Sequence, residues 1–419
     1  MRALRRFDRR YAPFVSCALL LACTLAFAQK KPPATPLDLN TATVEQLQQL
    51  PGIGPSTAQA IVRFRTKSGP FRRIEDLRAI HGISKKRLDA IRPYITVTPS
   101  SSGYRLLKRI ALGGDGGWDY LAFDSATRRL FISRATKVIV LDVDSEKVVG
   151  EIPNTDGVHG IALAPDLARG FTSNGRTGSI TIFDLKTLAT IGTVPAGKNP
   201  DAIVYDPASK RVFAMNGRGS DSTAIDGATG KVLATIPLAA KPEFAVSDEA
   251  GHVYVNIEDK SELWQIDSQK LAVTAHWPLA PCVEPSGLAI DAAHRRLFAG
   301  CDNKMMAVVN ADTGKVIATP AIGEGVDANA YDPGTAFAFS SNGESGTLTV
   351  VHEDSPDQFT VVEDVPTKTR ARTMALDPKT HEVFLVTADF GPRPPATPEQ
   401  PRPRPPILPG TFVVLVFGK

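Results

Sequence analysis

The chain has 419 residues, 42% of them hydrophobic and 22% charged, with a formal net charge of +4. That apolar content over that length excludes a disordered chain and a disulfide-stapled miniature, and suits two or three domains. Charge is unevenly placed: residues 1–35 carry seven basic and one acidic side chains, 36–97 ten and five, and 98–419 thirty-one and thirty-eight. A basic front thus precedes an acidic body, and the acidity argues against a large phosphate-binding surface on the body, leaving a local patch of Trp118, Arg176, Arg218 and Arg372 as the place where bases could stack.

Residues 1–28 have the pattern of an export signal. Arg2, Arg5, Arg6, Arg9 and Arg10 precede an apolar run from Phe14 to Ala28, and Ala26-Phe27-Ala28 is a small-x-small cleavage site before Gln29. The run is short for a membrane span. Leu20-Leu21-Ala22-Cys23 offers a second processing route, lipidation of Cys23, and only that route leaves the mature chain attached to a membrane. By either route the mature chain meets an oxidising compartment, periplasmic or extracellular. Cys17 and Cys23 go with the signal, which leaves Cys282 and Cys301 as the expected disulfide pair.

A Pro-rich linker, 29–36, leads into a predicted helical domain over 37–97. Thr43 and Gln46 have capping-box spacing at the start of a helix carrying Val44 and Leu47. Leu50-Pro51-Gly52-Ile53-Gly54 breaks that helix into a hairpin, and the next runs through Ile61, Val62 and Phe64. After a turn at Gly69-Pro70-Phe71 comes a stripe of Ile74, Leu77 and Ile80. A second hairpin, His81-Gly82-Ile83-Ser84, opens a last helix with Leu88, Ile91 and Tyr94.

Backbone amides at a glycine hairpin, aimed with the N-terminus of the following helix, make an anion site suited to phosphate. Arg63, Arg65, Lys67, Arg72, Arg73, Lys85, Lys86 and Arg87 lie around these hairpins. The candidate DNA-binding set is Gly52, Ile53, Gly54, Arg63, Arg65, Lys67, Gly82, Ile83, Ser84, Lys85, Lys86 and Arg87. Such contacts read the nucleic-acid backbone, so binding is expected to be sequence-independent and salt-sensitive. The plain alternative is a helical module that docks protein, its basic residues merely solvated.

Leu39-Asn40-Thr41-Ala42, the first hairpin, Gly69-Pro70-Phe71 and Tyr94-Ile95 together resemble the tandem helix-hairpin-helix DNA-binding domain of ComEA-type competence receptors. The resemblance implies DNA binding. That family has glycine at the third hairpin position where this chain has Ser84, a change that either strains the turn or adds a hydroxyl.

A linker over 98–103 precedes a repetitive region, 104–419. Phe131, Phe171, Phe213, Tyr254, Phe298, Phe339 and Phe384 recur at steps of 40, 42, 41, 44, 41 and 45 residues. A period near 42 built from short strands predicts propeller blades, here seven. Third strands close on Asp or Asn, as in Val140-Leu141-Asp142, Ile182-Phe183-Asp184 and Val308-Val309-Asn310. The last blade lacks an outer strand, and the isolated segment Tyr104–Leu112 is expected to supply it and close the ring. Phe171-Thr172-Ser173-Asn174, Phe213-Ala214-Met215-Asn216, Val253-Tyr254-Val255-Asn256 and Phe339-Ser340-Ser341-Asn342 resemble the repeats of YVTN/YncE-like seven-bladed propellers. The fold class expected is therefore multidomain: a small all-α tandem helix-hairpin-helix domain, then an all-β seven-bladed propeller closed by an N-terminal outer strand.

One rim of that propeller gathers polar residues. Trp118, Asp119, His159, Asp201, Glu243, Glu284, Asp327, Arg370 and Arg372 lead into first strands, while Asn174, Arg176, Asn216, Arg218, Asn256, Glu258, Asp302, Asn342 and Glu344 stand at second-strand ends. They are candidate contacts for a polar ligand or a protein. No metal motif, cofactor loop or nucleophile–base pair stands at a diagnostic spacing, so no metal and no cofactor is expected. Residues 391–410 hold nine prolines and interrupt the last blade between its second and third strands, as a stiff spacer or as a lid or docking strip over the mouth. The reading is an exported, non-enzymatic adaptor, DNA on the front domain and a protein or other ligand on the propeller. The alternatives are a propeller enzyme, hydrolytic or metal-dependent, and an envelope protein-interaction scaffold.

Overall fold

A computed structural model describes residues 32–33, 35–68, 70–71, 73–97, 101–395, 397 and 403–419. The export signal, Cys17, Cys23, Gly69, Arg72, linker residues 98–100 and residues 396 and 398–402 of the Pro-rich insertion lie outside the described residues. Among the described residues no helix is long and apolar enough to cross a membrane.

The front domain is built on three helices, α1 (Val44–Leu47), α2 (Pro55–Ser68) and α3 (Lys85–Ile91). Thr43 and Gln46 complete the capping box: Gln46 N donates to Thr43 Oγ1 and Thr43 N to Gln46 Oε1. Two departures have local causes. Ile74–Ala79 is a 3-10 helix, tightened where Arg73 N donates to the Asp76 carboxylate, and Ile80 lies beyond its end. Tyr94 belongs to a 3-10 turn, Arg92–Tyr94, because Pro93 has no N–H with which to continue α3. Short parallel strands Leu37–Asp38 and Ile95–Thr96 tie the ends together. Leu39, Leu47, Ile53, Ile61, Phe71, Leu77, Ile83, Leu88 and Ile91 fill the core.

Gly52 and Gly82 take φ of +72° and +92°, a conformation that only glycine adopts without cost. The third hairpin position needs no such freedom. A Cβ on Gly54 would meet nothing within 4 Å. Ser84, at φ −74°, accepts from Arg87 N and caps α3. The serine therefore strains nothing; it satisfies one orphan amide.

From Arg105 to Gly418 the chain forms seven four-stranded antiparallel sheets. Blade one runs from Leu121–Asp124 to Lys147–Ile152, and each later blade repeats it. Blade seven holds Met374–Asp377, Glu382–Thr387 and Val413–Gly418, and its outermost strand is Arg105–Ala111, from the other end of the region. All seven repeat aromatics lie on second strands and are fully buried. Cys282 and Cys301 are bonded, with Cα atoms 5.5 Å apart.

The glycine contrast is testable by helical circular dichroism, because the propeller contributes little helix. Gly52→Ala is expected to destabilise the front domain by about 1–2 kcal/mol in urea, while Gly54→Ala leaves the midpoint unchanged.

Candidate functional sites

On the front domain the two hairpins share one face. Arg87 Nη1 donates to Gly82 O at 2.5 Å, and its Nε stands 3.7 Å from where a Cβ of Gly52 would lie. Arg63, Ser84, Lys85 and Lys86 are exposed, and among the described residues Arg63, Lys85 and Lys86 form no ion pair. Ile53 and Ile83, by contrast, are core residues whose amides already donate to Leu50 O and Ile80 O at 3.1 Å, so they offer a ligand neither side chain nor free N–H. Arg65 is spent on the fold, its Nη1 donating to Leu39 O (2.7 Å) and Ala42 O (2.9 Å). Lys67 lines a cleft shared with Asp354 and Asp357 of the propeller, away from the hairpins.

The propeller mouth is positioned by a repeated break in the strand ladder. Val158 pairs with Asn174, but pairing resumes only at Ile161; the same gap follows Pro200, Pro242 and Pro285, and a shorter one follows Val326. The first residue within each break stands near the head of the first strand. Those residues are His159, Asp201, Glu243, Ser286 and Asp327, with Asp119 and Arg372 leading into blades one and seven. Ser173 Oγ donates to Asp201 O and Ser341 Oγ to Arg372 O, so the second strand of one blade holds the head of the next.

His159 Nδ1 donates to Asp119 Oδ2 at 2.6 Å and lies 3.8 Å from Asp201 Oδ1. Arg372 Nη1 is 2.7 Å from Asp327 Oδ2, and Nη2 is 3.6 Å from Asp119 Oδ1. Lys241 pairs with Glu258 and stands 3.3 Å from Glu243. Five carboxylates, those of Asp119, Asp201, Glu243, Glu258 and Asp327, thus face Arg372, Lys241 and one imidazole. Burial pushes Asp201 and Asp327 up to about 6. Burial, with Asp201 next to it, pushes Glu243 up to about 8. Burial and the surrounding carboxylates hold the Tyr120 phenol far above its ordinary value. For His159 the Asp119 carboxylate and its neighbours outweigh burial, and the imidazole is raised.

Several predicted site residues are placed elsewhere. Asn174 donates to Ser179 Oγ and Thr181 Oγ1, Asn216 to Asp221 Oδ1 and Thr223 Oγ1, and Asn342 to Thr347 Oγ1 and Thr349 Oγ1. Asn256 donates to Ser286 O and Gly287 O. All four are buried and tie strands together. Glu284 is exposed at φ +47°, and Ser286 holds its blade's place in the ring. Trp118 is packed between Phe390 and Phe412, at centroid distances of 6.0 and 5.1 Å. Phe390 bridges Ile407, so the two ends of the Pro-rich insertion meet beside the rim. Arg176 and Arg218, exposed, flank a cleft of about 880 Å³ with Lys198, Gly157, Gly175 and Gly197, and His159 forms part of its wall. A Cβ on Gly175 would lie 2.6 Å from His159 Nε2, so glycine there lets the imidazole reach the cleft. Tyr120, Lys241 and Ser286 were not singled out from sequence; aligning Pro200-Asp201, Pro242-Glu243 and Pro285-Ser286 signals the last of them.

Residues 33–96 match the helix-hairpin-helix motif family and form such a domain. This part is similar to ComE operon protein 1 of Bacillus subtilis (strain 168), 44% identical over 61 residues, 15% of this chain and 30% of that protein. It is also similar to endonuclease/exonuclease/phosphatase family domain-containing protein 1 of Danio rerio, 41% identical over 66 residues, 16% of this chain and 12% of that protein. The human protein of that name is 30% identical over 140 residues, 32% of this chain and 25% of its own length. The chain thus spans less than a third of the length of these curated relatives. The fold also resembles a chain of Kuenenia stuttgartiensis hydrazine synthase (TM-score 0.58, 15% identity, 65% of this chain and 94% of that one) and one of the mitotic checkpoint complex (0.59, 15%, 69% and 91%). At that identity the likeness is one of fold alone.

The raised carboxyls set a pH dependence. Their folded-state values lie above the ordinary 3.8 and 4.5, so the stability they contribute is fully present below about pH 4 and is lost as pH rises through about 6 for Asp201 and Asp327 and about 8 for Glu243. Glu243→Gln is therefore expected to raise Tm by a few degrees at about pH 9, with the gain shrinking to nothing by about pH 4. A pH-independent difference would contradict this.

Proposed function

We propose that this protein is an exported, non-enzymatic adaptor that holds DNA on its helix-hairpin-helix domain and a second ligand or protein at the propeller mouth. Residues 1–28 direct export in this reading, residues 37–97 are the DNA-binding domain, and 104–419 the propeller of YVTN/YncE-like type. The observation that carries the reading is the pair of positive-φ glycine hairpins on one face, bridged by Arg87 and flanked by unpaired Lys85 and Lys86. Backbone amides and mobile cations on one face suit phosphodiesters and carry no device for reading bases.

Fluorescence anisotropy of the mature chain on duplexes of unrelated sequence tests this. Binding is expected at about 50 mM salt with equal affinity for each sequence and a steep fall as salt rises. Replacing Lys85 and Lys86 together by alanine is expected to flatten the slope of log K against log salt by roughly 1–2. An absence of binding in dilute buffer, or a slope the double variant leaves alone, would overturn the proposal.

One observation favours a hydrolytic propeller as a second reading: Asp119 orients His159 through Nδ1 while Nε2 faces the cleft between Arg176 and Arg218. A general base is built in this way. Turnover of anionic esters that disappears in His159→Ala would favour it over the adaptor.

A further inference from the structure

The blades are fastened to one another on the face opposite the mouth, at the ends of their first strands. Asp206 of blade three accepts from Ser247 Oγ (2.8 Å) and Ser268 Oγ (2.7 Å) of blade four. Asp248 of blade four meets Arg295 of blade five at 3.2 Å. Asp332 of blade six accepts from His381 Nδ1 of blade seven at 2.8 Å, and Asp377 of blade seven from Ser125 Oγ of blade one at 2.7 Å. Each of these acids meets a donor across its gap.

The gap between blades five and six breaks the pattern. His352 ends the pairing with the second strand of blade six just as Asp267 does in blade four, so Glu353 occupies the place of Ser268. The backbone agrees: Ser268 N donates to Gly251 O and Glu353 N to Ala336 O, both at 2.9 Å. A carboxylate therefore stands where a hydroxyl donor is needed, facing Asp291. Asp291 is 3% exposed and Glu353 6%. Besides His294, the Tyr331 hydroxyl faces Glu353 and Asp291 alike, one neutral donor for two carboxylates. His294 lies between the two acids, its Nδ1 2.6 Å from Asp291 Oδ2 and 3.2 Å from Glu353 Oε1. Arg296 gives no relief, since its donors go to Pro356 O, His294 O, Arg295 O and Asp357. Two buried like charges need a counter-charge or a proton.

We propose that Asp291, His294 and Glu353 bind a divalent transition cation of the zinc class, which staples blade five to blade six. The three ligand atoms lie within 4.8 Å of one another, and small side-chain rotations bring them to one ion at about 2.0–2.2 Å. One imidazole nitrogen with two carboxylate oxygens suits zinc or manganese better than calcium or magnesium. His294, half exposed, gives the ion its way in. The channel cluster of Asp119, His159 and Asp201 has the same ligand types, but Arg372 and Lys241 already offset its charge.

The test uses the untagged mature chain, stripped with chelator and titrated with zinc by calorimetry, with Tm followed in parallel. One equivalent of zinc is expected per chain, with a rise in Tm that chelator reverses. Glu353→Ser and His294→Ala are each expected to weaken binding by about 100-fold or more, whereas Asp201→Asn leaves it unchanged. Glu353→Ser, which recreates the Ser268 contact, is also expected to melt above the metal-free wild type, showing that it folds. Failure of the wild type to bind zinc would overturn the proposal and leave a shared proton as the counter-charge. Binding that survives both variants, or that is lost in Asp201→Asn alone, would overturn it as well.

Discussion

The ladder between Arg105–Ala111 and Val413–Gly418 is the constraint on which the propeller depends. It joins residues about three hundred positions apart, and it converts a row of seven sheets with two bare edges into a ring. Ile110, Val414 and Val416 are buried on this seam beside Phe384, so the closure is apolar as well as hydrogen-bonded. Only in a closed ring do seven first strands point their leading residues at one axis. Asp119, His159, Asp201, Glu243, Asp327 and Arg372 meet for that reason, although Asp119 and Arg372 lie at opposite ends of the propeller's sequence.

A repeated position then takes whatever chemistry its blade supplies. At the end of the second strand, opposite the break in the ladder, stand Asn174, Asn216 and Asn342, whose amides pin the neighbouring third strand. In blade five that position is Cys301, opposite Pro285, and the tie to Cys282 is covalent. In blade one it is Arg134, stacked over Phe412 and donating to Asp115 O across the seam. The same substitution logic puts Glu353 where blade four has Ser268. A repeat tolerates such changes because each blade is packed mainly against its two neighbours.

Much of this was legible in the sequence. The spacing of seven aromatics predicted the blade count, the unpaired segment at 104–112 predicted the seam, and Cys282 with Cys301 predicted the bond. Burial direction was harder to read. The asparagines look like rim ligands because they are polar and end a strand, yet they face the adjoining strand. Ile53 and Ile83 sit in hairpins suited to phosphate, but their side chains complete a small core that has few other residues to fill it. Glu284 stands out in sequence because it is charged, whereas the inward position is fixed by where the ladder breaks, two residues further on, at Ser286. Arg65 is indistinguishable in sequence from Arg63 until the fold brings two free carbonyls to it. Ser84 shows the reverse case: of the two readings of that departure, strain or an added hydroxyl, the structure gives the hydroxyl, as a helix cap.

The uneven charge of the chain bears on how two sites can work together. The front domain offers unpaired cations on one face, while the propeller region carries more acidic than basic side chains and gathers several in its channel. A polyanion bound to the first is repelled by the second at distances within about 8–10 Å at physiological salt. Arg176, Lys198 and Arg218, cations at the mouth outside ion pairs, form a local cluster around one cleft, too small to draw in a long phosphate backbone. In the proposed reading, DNA stays on the hairpin face and the mouth is left to a partner of different chemistry. That separation by charge adds to the hairpin geometry a physical reason for reading the chain as an adaptor with two distinct sites.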